Sequence, residues 1–221
     1  MKPKITLILI IVLLSAVNVF ATAQYPDKII YNGKEYSLHS NPMEEYFKNF
    51  PDKKPKSGII SSALWRGYIA TFEIADNTLF LKDVEIMVSK DTKDKKSFET
   101  EWKSVLSEVV PDNKKLKIDW FTGLLVLPFG KVVNYVHMGY GSTYENYILL
   151  EIDKGDFKLS KEYDYKQYEK FKERQYQAFK KTEEYKKLIE DMKKEGDYDE
   201  KFADSFLRSF ITNYTSKILV D

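Results

Sequence analysis

The residues of this chain whose types could do chemistry gather in two stretches. The first runs Asp119-Trp120-Phe121-Thr122-Gly123 and resumes at Tyr135-Val136-His137-Met138-Gly139-Tyr140-Gly141-Ser142-Thr143-Tyr144-Glu145, with one of only two histidines in it. There His137 could act as a general base oriented by Asp119 or Glu145, with Ser142 as nucleophile or a phenol as proton relay. That would be a hydrolase of glycan or peptide. No Gly-x-Ser-x-Gly elbow surrounds Ser142, and the competing reading is a strand-end histidine bonded to backbone beside a Gly-rich hairpin turn. Gly139-x-Gly141-Ser142 could cradle a phosphate on backbone N–H groups, but it lacks the following GK[ST] and a helix start, so a turn is expected. His137-Met138 with the distant His39 has no paired metal-ligand spacing, and no metal or cofactor is expected.

The second stretch is Trp65-Arg66-Gly67-Tyr68. Arg66 between aromatics could stack on Trp65 or grip a carboxylate, either a partner's or an internal one such as Asp119 or Glu145. Gly67 suggests a bulge or a close backbone approach. Trp65, Arg66, Tyr68, Trp120, Tyr140 and Tyr144 are therefore the candidate binding residues, and the acids are too scattered to nominate a glycosidase pair. In motif order, Trp65-Arg66-Gly67-Tyr68 with Phe72-Glu73-Ile74, Asp119 to Gly123, and Tyr135 to Ser142 resemble a scattered family of bacterial proteins with no established activity. The resemblance spans roughly Tyr25 to Phe157 and implies a common fold and a shared face, without supplying a reaction.

Composition narrows the classes further. The 221 residues carry 35 Lys+Arg against 34 Asp+Glu, so there is no basic footprint for nucleic acid. Zero cysteine excludes disulfides, thiolate metal sites, thiol nucleophiles and lipid attachment through an N-terminal Cys. Residues 1–23 read as a secretory signal: Lys2 and Lys4, an unbroken apolar run from Leu7 to Leu14, and Ala21-Thr22-Ala23 before a cut at Gln24. The apolar stretch is too short for a spanning helix, which needs about 20 residues. Cleavage removes two lysines and no acid, leaving a nearly neutral chain with no lipid anchor and no span, secreted or periplasmic.

The elements that must position these residues follow from pattern. Residues 24–160 read as an α+β domain, an antiparallel sheet with two short helices. Asn32-Gly33 marks a hairpin between Lys28–Tyr31 and Lys34–Leu38. Asn41 caps a helix with Pro42 at its first position. Leu64–Ile74 turns at Asp76-Asn77 into Leu79–Val88, and Ser97 starts a helix with Phe98, Trp102, Val105, Leu106 and Val109 at helical spacing. Strands follow at 117–127, 131–138 and 143–152, with Pro128 and Gly130 in a turn. Residues 161–221 are expected to form a charged amphipathic helical hairpin. Its first helix carries a stripe from Tyr168 through Phe171, Gln175, Ala178, Thr182, Tyr185 and Ile189 to Met192, and the hairpin breaks at Gly196-Asp197. The expected function is an exported, non-enzymatic protein that binds a protein or cell-envelope partner, an immunity-type protein being one form of it. The periplasmic hydrolase is the alternative.

Overall fold

The computed structural model describes residues 23–90, 99–110, 115–137, 139–195 and 200–220. The expected signal up to Thr22, together with Ser97, Phe98, Met138 and Gly196-Asp197, lies outside them. The chain combines α and β structure around one large sheet. Strand β1 (Asp27–Tyr31) returns as β2 (Lys34–Leu38) through Asn32 and Gly33, whose φ values of 50° and 75° are those a tight hairpin turn demands. Helix α1 (Met43–Asn49) follows, and the chain then reaches β3 (Ile69–Ala75), which lies parallel to β1. The purely antiparallel sheet expected from the pattern is thus corrected to a mixed one.

From β3 the chain turns at Asp76-Asn77, both at positive φ, into the long β4 (Thr78–Ser89). One end of β4 pairs with β5 (Thr100–Ser104), the other with β6 (Leu116–Lys117). The expected helix from Ser97 is therefore wrong over Thr100–Ser104, and only α2 (Leu106–Val109) remains of it. The backbone groups along the edge of β4 need partners, and supplying them outweighs the helical spacing. Val105 and Val109 still bury as that spacing required, but Trp102 sits on β5.

Three further strands form a meander: β7 (Gly123–Asn134), β8 (Thr143–Asp153) and β9 (Asp156–Asp164). Pro128 and Gly130 lie inside β7 rather than in a turn. Pro128 is opposite Tyr147, and Gly130, at φ +83°, falls where the register shifts as a bulge. The strand order is β2-β1-β3-β4-β9-β8-β7. Its two ends meet. The His39 N–H, just past β2, donates to Val126 O in β7 at 2.9 Å, and the Tyr36 and Phe129 rings are 6.0 Å apart.

The curled sheet encloses the main core of Ile29, Leu38, Tyr68, Phe72, Leu125, Leu127, Ile148 and Leu150 among others. Alternate residues of β7 and β8 face outward, so Leu124, Val126, Tyr147 and Leu149 form a second cluster with Tyr168 and Phe171. Burial on both faces explains why Leu124 to Leu127 reads as an unbroken apolar run.

The covering helix is α3 (Tyr165–Phe179), begun by a capping box in which Asp164 Oδ1 accepts from Gln167 N–H and the Gln167 side chain returns to the Asp164 N–H. The first helix of the expected hairpin, continuous through Tyr168 to Met192, is corrected: β9 continues to Asp164, and α3 gives way to a separate α4 (Glu183–Glu195) before α5 (Glu200–Ser209). The break needs neither Gly nor Pro. Thr182 Oγ1 donates to Phe179 O at 2.7 Å and accepts from Tyr185 N–H at 3.2 Å. Two separate apolar surfaces require it, since Tyr168 and Phe171 cover the sheet while Tyr176 and Phe179 pack with Tyr185, Ile189, Leu207 and Ile211.

Candidate functional site

Two adjoining cavities of about 650 and 640 Å³ open between the sheet and the C-terminal segment. His39, Asn41, Tyr140, Thr212 and Asn213 line both and so form the wall that divides them. Three pieces of chain bring this wall together. The end of β2 delivers His39 and Asn41, the loop from Gly139 (φ +51°) delivers Tyr140, and the turn after α5 delivers Thr212 and Asn213. The Ser40 hydroxyl fixes the β2 end by donating to Leu124 O at 3.3 Å.

Beneath the wall runs a buried polar network. Arg66 Nη1 donates to Asp27 Oδ2 at 2.9 Å and also to Asn41 Oδ1, and Nη2 donates to Tyr25 O at 2.9 Å. Asp27 Oδ1 accepts from the Ala70 N–H at 2.9 Å, and the Tyr140 hydroxyl donates to Asn41 Oδ1 at 2.9 Å. The His39 ring stacks on Tyr140 with centroids 4.6 Å apart and meets Tyr144 edge-on at 5.6 Å. Burial pushes the Asp27 carboxyl up to about 6, against the pull of Arg66 and the Ala70 amide. Burial also lowers His39 to about 4, which keeps it neutral at pH 7. Tyr140 is raised, chiefly by burial.

Arg66 grips an internal carboxylate, one of the two expected forms of its contact, but not either acid named as an example. Its side chain is 2% exposed, its carboxylate partner is Asp27 rather than Asp119 or Glu145, and its guanidinium lies over Tyr68, 5.5 Å from the ring centre. It holds the wall in place from behind. Trp65, one residue earlier, is 58% exposed on the rim of the larger cavity. Tyr68 is buried and donates to Glu44 Oε1 at 2.6 Å, and burial raises its pKa. Trp120 packs on Tyr46 at 4.7 Å and donates from Nε1 to Pro42 O at 2.9 Å, outside both cavities. Tyr144 supports His39 from the side.

His137, Asp119 and Glu145 line neither cavity. His137 is exposed and edge-on to Tyr135 at 4.6 Å. Glu145 Oε2 accepts from the Lys131 N–H at 2.8 Å. The two carboxylates offered to His137 are far apart. Ile118 and Phe121, which flank Asp119, lie against Gly155 beyond the end of β8, while Glu145 stands near its start. At about 3.3 Å per residue the strand between them spans roughly 25 Å. The Ser142 hydroxyl accepts from Val136 N–H at 3.0 Å and closes the loop, as a turn serine does. Among the described residues no three His, Cys, Asp or Glu side chains converge as a metal site, and no helix is long and apolar enough to cross a membrane.

Asp27, His39 and Asn41 are the wall and network residues that the sequence reading did not bring together. Asn41 has the residue type of a helix cap, but α1 has no side-chain cap because that side chain serves Arg66 and Tyr140. Asp27 carries one signal in the sequence, an acid directly ahead of the Lys28-Ile29-Ile30-Tyr31 strand. Compared with known proteins, the chain matches no family model, no curated protein and no solved structure.

Proposed function

We propose that this is an exported, non-enzymatic binding protein of the cell envelope, cut between Ala23 and Gln24, with no lipid anchor. Its partner is an envelope component or envelope protein, and an immunity-type role is one form of this reading. One observation carries it: an aromatic shelf stands uncovered beside the larger cavity. Trp65 (58% exposed) and Ile60 (71% exposed) lie on one loop, and Ile60 lies against Gly67. Tyr25 joins them through its N–H bond to Ala63 O at 2.9 Å, and Trp102 meets the Tyr25 ring edge-on at 5.6 Å. Exposed apolar and aromatic side chains gathered on neighbouring segments in this way mark interaction sites. The rigid network behind the wall means the shelf and cavity are presented ready-formed, which limits the ordering cost of binding.

The test has two parts. Amino-terminal sequencing of the protein recovered from outside the cytoplasm is expected to begin at Gln24. The purified mature chain is expected to co-sediment with an envelope fraction, and Trp65→Ala with Ile60→Ser is expected to weaken this by about tenfold or more, as loss of an aromatic anchor does. Retention of the first 23 residues, or undiminished sedimentation of the double variant, overturns the reading.

A further inference from the structure

We infer that the larger cavity is a binding site for an uncharged saccharide of two or three sugar units. The inference rests on the envelope-binding reading and gives it a ligand class. The first argument is electrostatic. Every cationic side chain on the lining already faces an acid: Arg66 faces Asp27 at 2.9 Å, Lys172 faces Glu169 at 2.8 Å, and Arg208 faces Glu173 at 3.5 Å. A cavity balanced in this way has no field with which to select a phosphate, a carboxylate or a cation.

The second argument is the kind of polar group that remains. Gln24, Ser142, Thr143, Ser209 and Asn213 are neutral amides and hydroxyls. Gln24 already bonds Ser62 O, Ser142 bonds Val136 and Ser209 bonds Ser205 O, yet an amide or hydroxyl keeps further donor or acceptor capacity. Thr143 Oγ1 is shielded from solvent and has no hydrogen-bond partner among the described residues. A buried hydroxyl left unpaired is costly; Thr143 lines the cavity, and a turn about its χ1 would bring Oγ1 out to a ligand's hydroxyl.

The third argument is shape. Trp65 stands at the rim with its ring largely uncovered, and Tyr140 is backed by His39 in a stack. Flat aromatic faces suit the C–H face of a pyranose, whose hydroxyls project sideways toward the neutral polar groups. A volume of about 650 Å³ falls within the range of small-ligand sites, roughly 300–1,000 Å³.

The experiment titrates the mature chain with chitotriose, cellotriose and maltotriose at millimolar concentration. Tryptophan emission is the readout, with proton NMR of the His39 and Tyr140 rings as a second one. At least one trisaccharide is expected to quench the emission and shift those ring signals. Trp65→Ala is expected to weaken binding about tenfold or more, and Thr143→Val by a smaller factor. Tyr135→Ala, an exposed aromatic off the cavity, is expected to change nothing. The inference is overturned if no trisaccharide binds, if Trp65→Ala binds as well as the parent, or if a capped neutral tripeptide binds equally tightly. Envelope sedimentation without trisaccharide binding removes the ligand class alone. Trisaccharide binding without sedimentation removes the envelope reading alone.

Discussion

Arg66 Nη1 lies 2.9 Å from Asp27 Oδ2 across 39 residues of sequence, and the two side chains are 2% and 0% exposed. This pair joins the first strand of the sheet to the loop that carries Trp65, and through Asn41 it reaches the wall between the cavities. A buried ion pair adds little net stability over an apolar pair, but removing one member strands the other charge.

Arg66→Met is therefore expected to destabilise the chain by about 3–5 kcal/mol, measured by urea unfolding. Asp27→Leu with Arg66→Met is expected to recover a good part of that loss, because no charge is left stranded. A double variant as unstable as the sum of the two singles would show that the network positions the fold beyond its charge balance.

The same network makes a prediction about pH. Folding raises Asp27 to about 6, so its contribution is fullest below the ordinary carboxylate value and is lost as pH rises through about 6. Folding lowers His39 to about 4, so its contribution is full above the ordinary imidazole value and is lost as pH falls through about 4. Between these limits the two slopes oppose and nearly cancel. Arg66 with Glu44 faces Asp27, and Tyr140 with Tyr144 faces His39. Asp27→Asn is expected to expose the His39 slope, losing about 3 kcal/mol from pH 6.5 to 4. His39→Gln is expected to do the reverse and gain stability over the same range. Urea midpoints at several pH values check both, and a parent slope as steep as either variant's would refute the cancellation.

How much of this was legible in the sequence depends on the range of the interaction. Asn32-Gly33 and Asp76-Asn77 announced their turns because the backbone there needs positive φ, a local property. The alternation of β3 and β4 was equally local. The segment Thr100–Ser104 carries helical spacing, which is also local, whereas the edge of β4 that captures it lies more than ten residues away in sequence. At the site, Trp65 and Tyr140 were found by residue type. Asp27 and His39 were not, because an acid and an imidazole become a network only when the sheet curls and brings β2 against β7. Thr182 broke a helix that composition showed as continuous, because two apolar surfaces had to be covered.

Two glycines with nearly the same backbone separate strain from crowding. Gly33 (φ +75°) has nothing within 4 Å of where a Cβ would stand, and Gly33→Ala is expected to cost only the left-handed penalty of about 1–2 kcal/mol. Gly155 (φ +76°) would place that Cβ 2.8 Å from Ile118 O, a backbone atom that cannot swing away. Gly155→Ala is expected to cost clearly more than Gly33→Ala in the same urea assay. Equal losses would mean that the β8–β9 turn yields without displacing the strand leading to Asp119.

Gln175 interrupts an apolar stripe because it holds the end of the chain. Its amide donates to Lys217 O at 2.7 Å and to Thr215 Oγ1 at 3.2 Å, and its carbonyl accepts from Leu219 N–H at 2.8 Å, all from a fully buried position. Glu151 Oε2 takes the neighbouring Ile218 N–H at 2.8 Å, so residues 215–219 are pinned between α3 and β8. Gln175→Leu keeps the bulk of the side chain but leaves the Leu219 amide without its acceptor, at a cost of about 1–3 kcal/mol. The loss is expected to be local as well as global. Amide exchange at Leu219 should accelerate by more than the global destabilisation accounts for, and carboxypeptidase should trim the variant back toward Thr215. Since Thr215 follows closely on Thr212 and Asn213, the same variant is expected to loosen the wall between the cavities. Uniform acceleration of exchange across the sheet and tail alike would refute the clamp and leave Gln175 as an ordinary core residue.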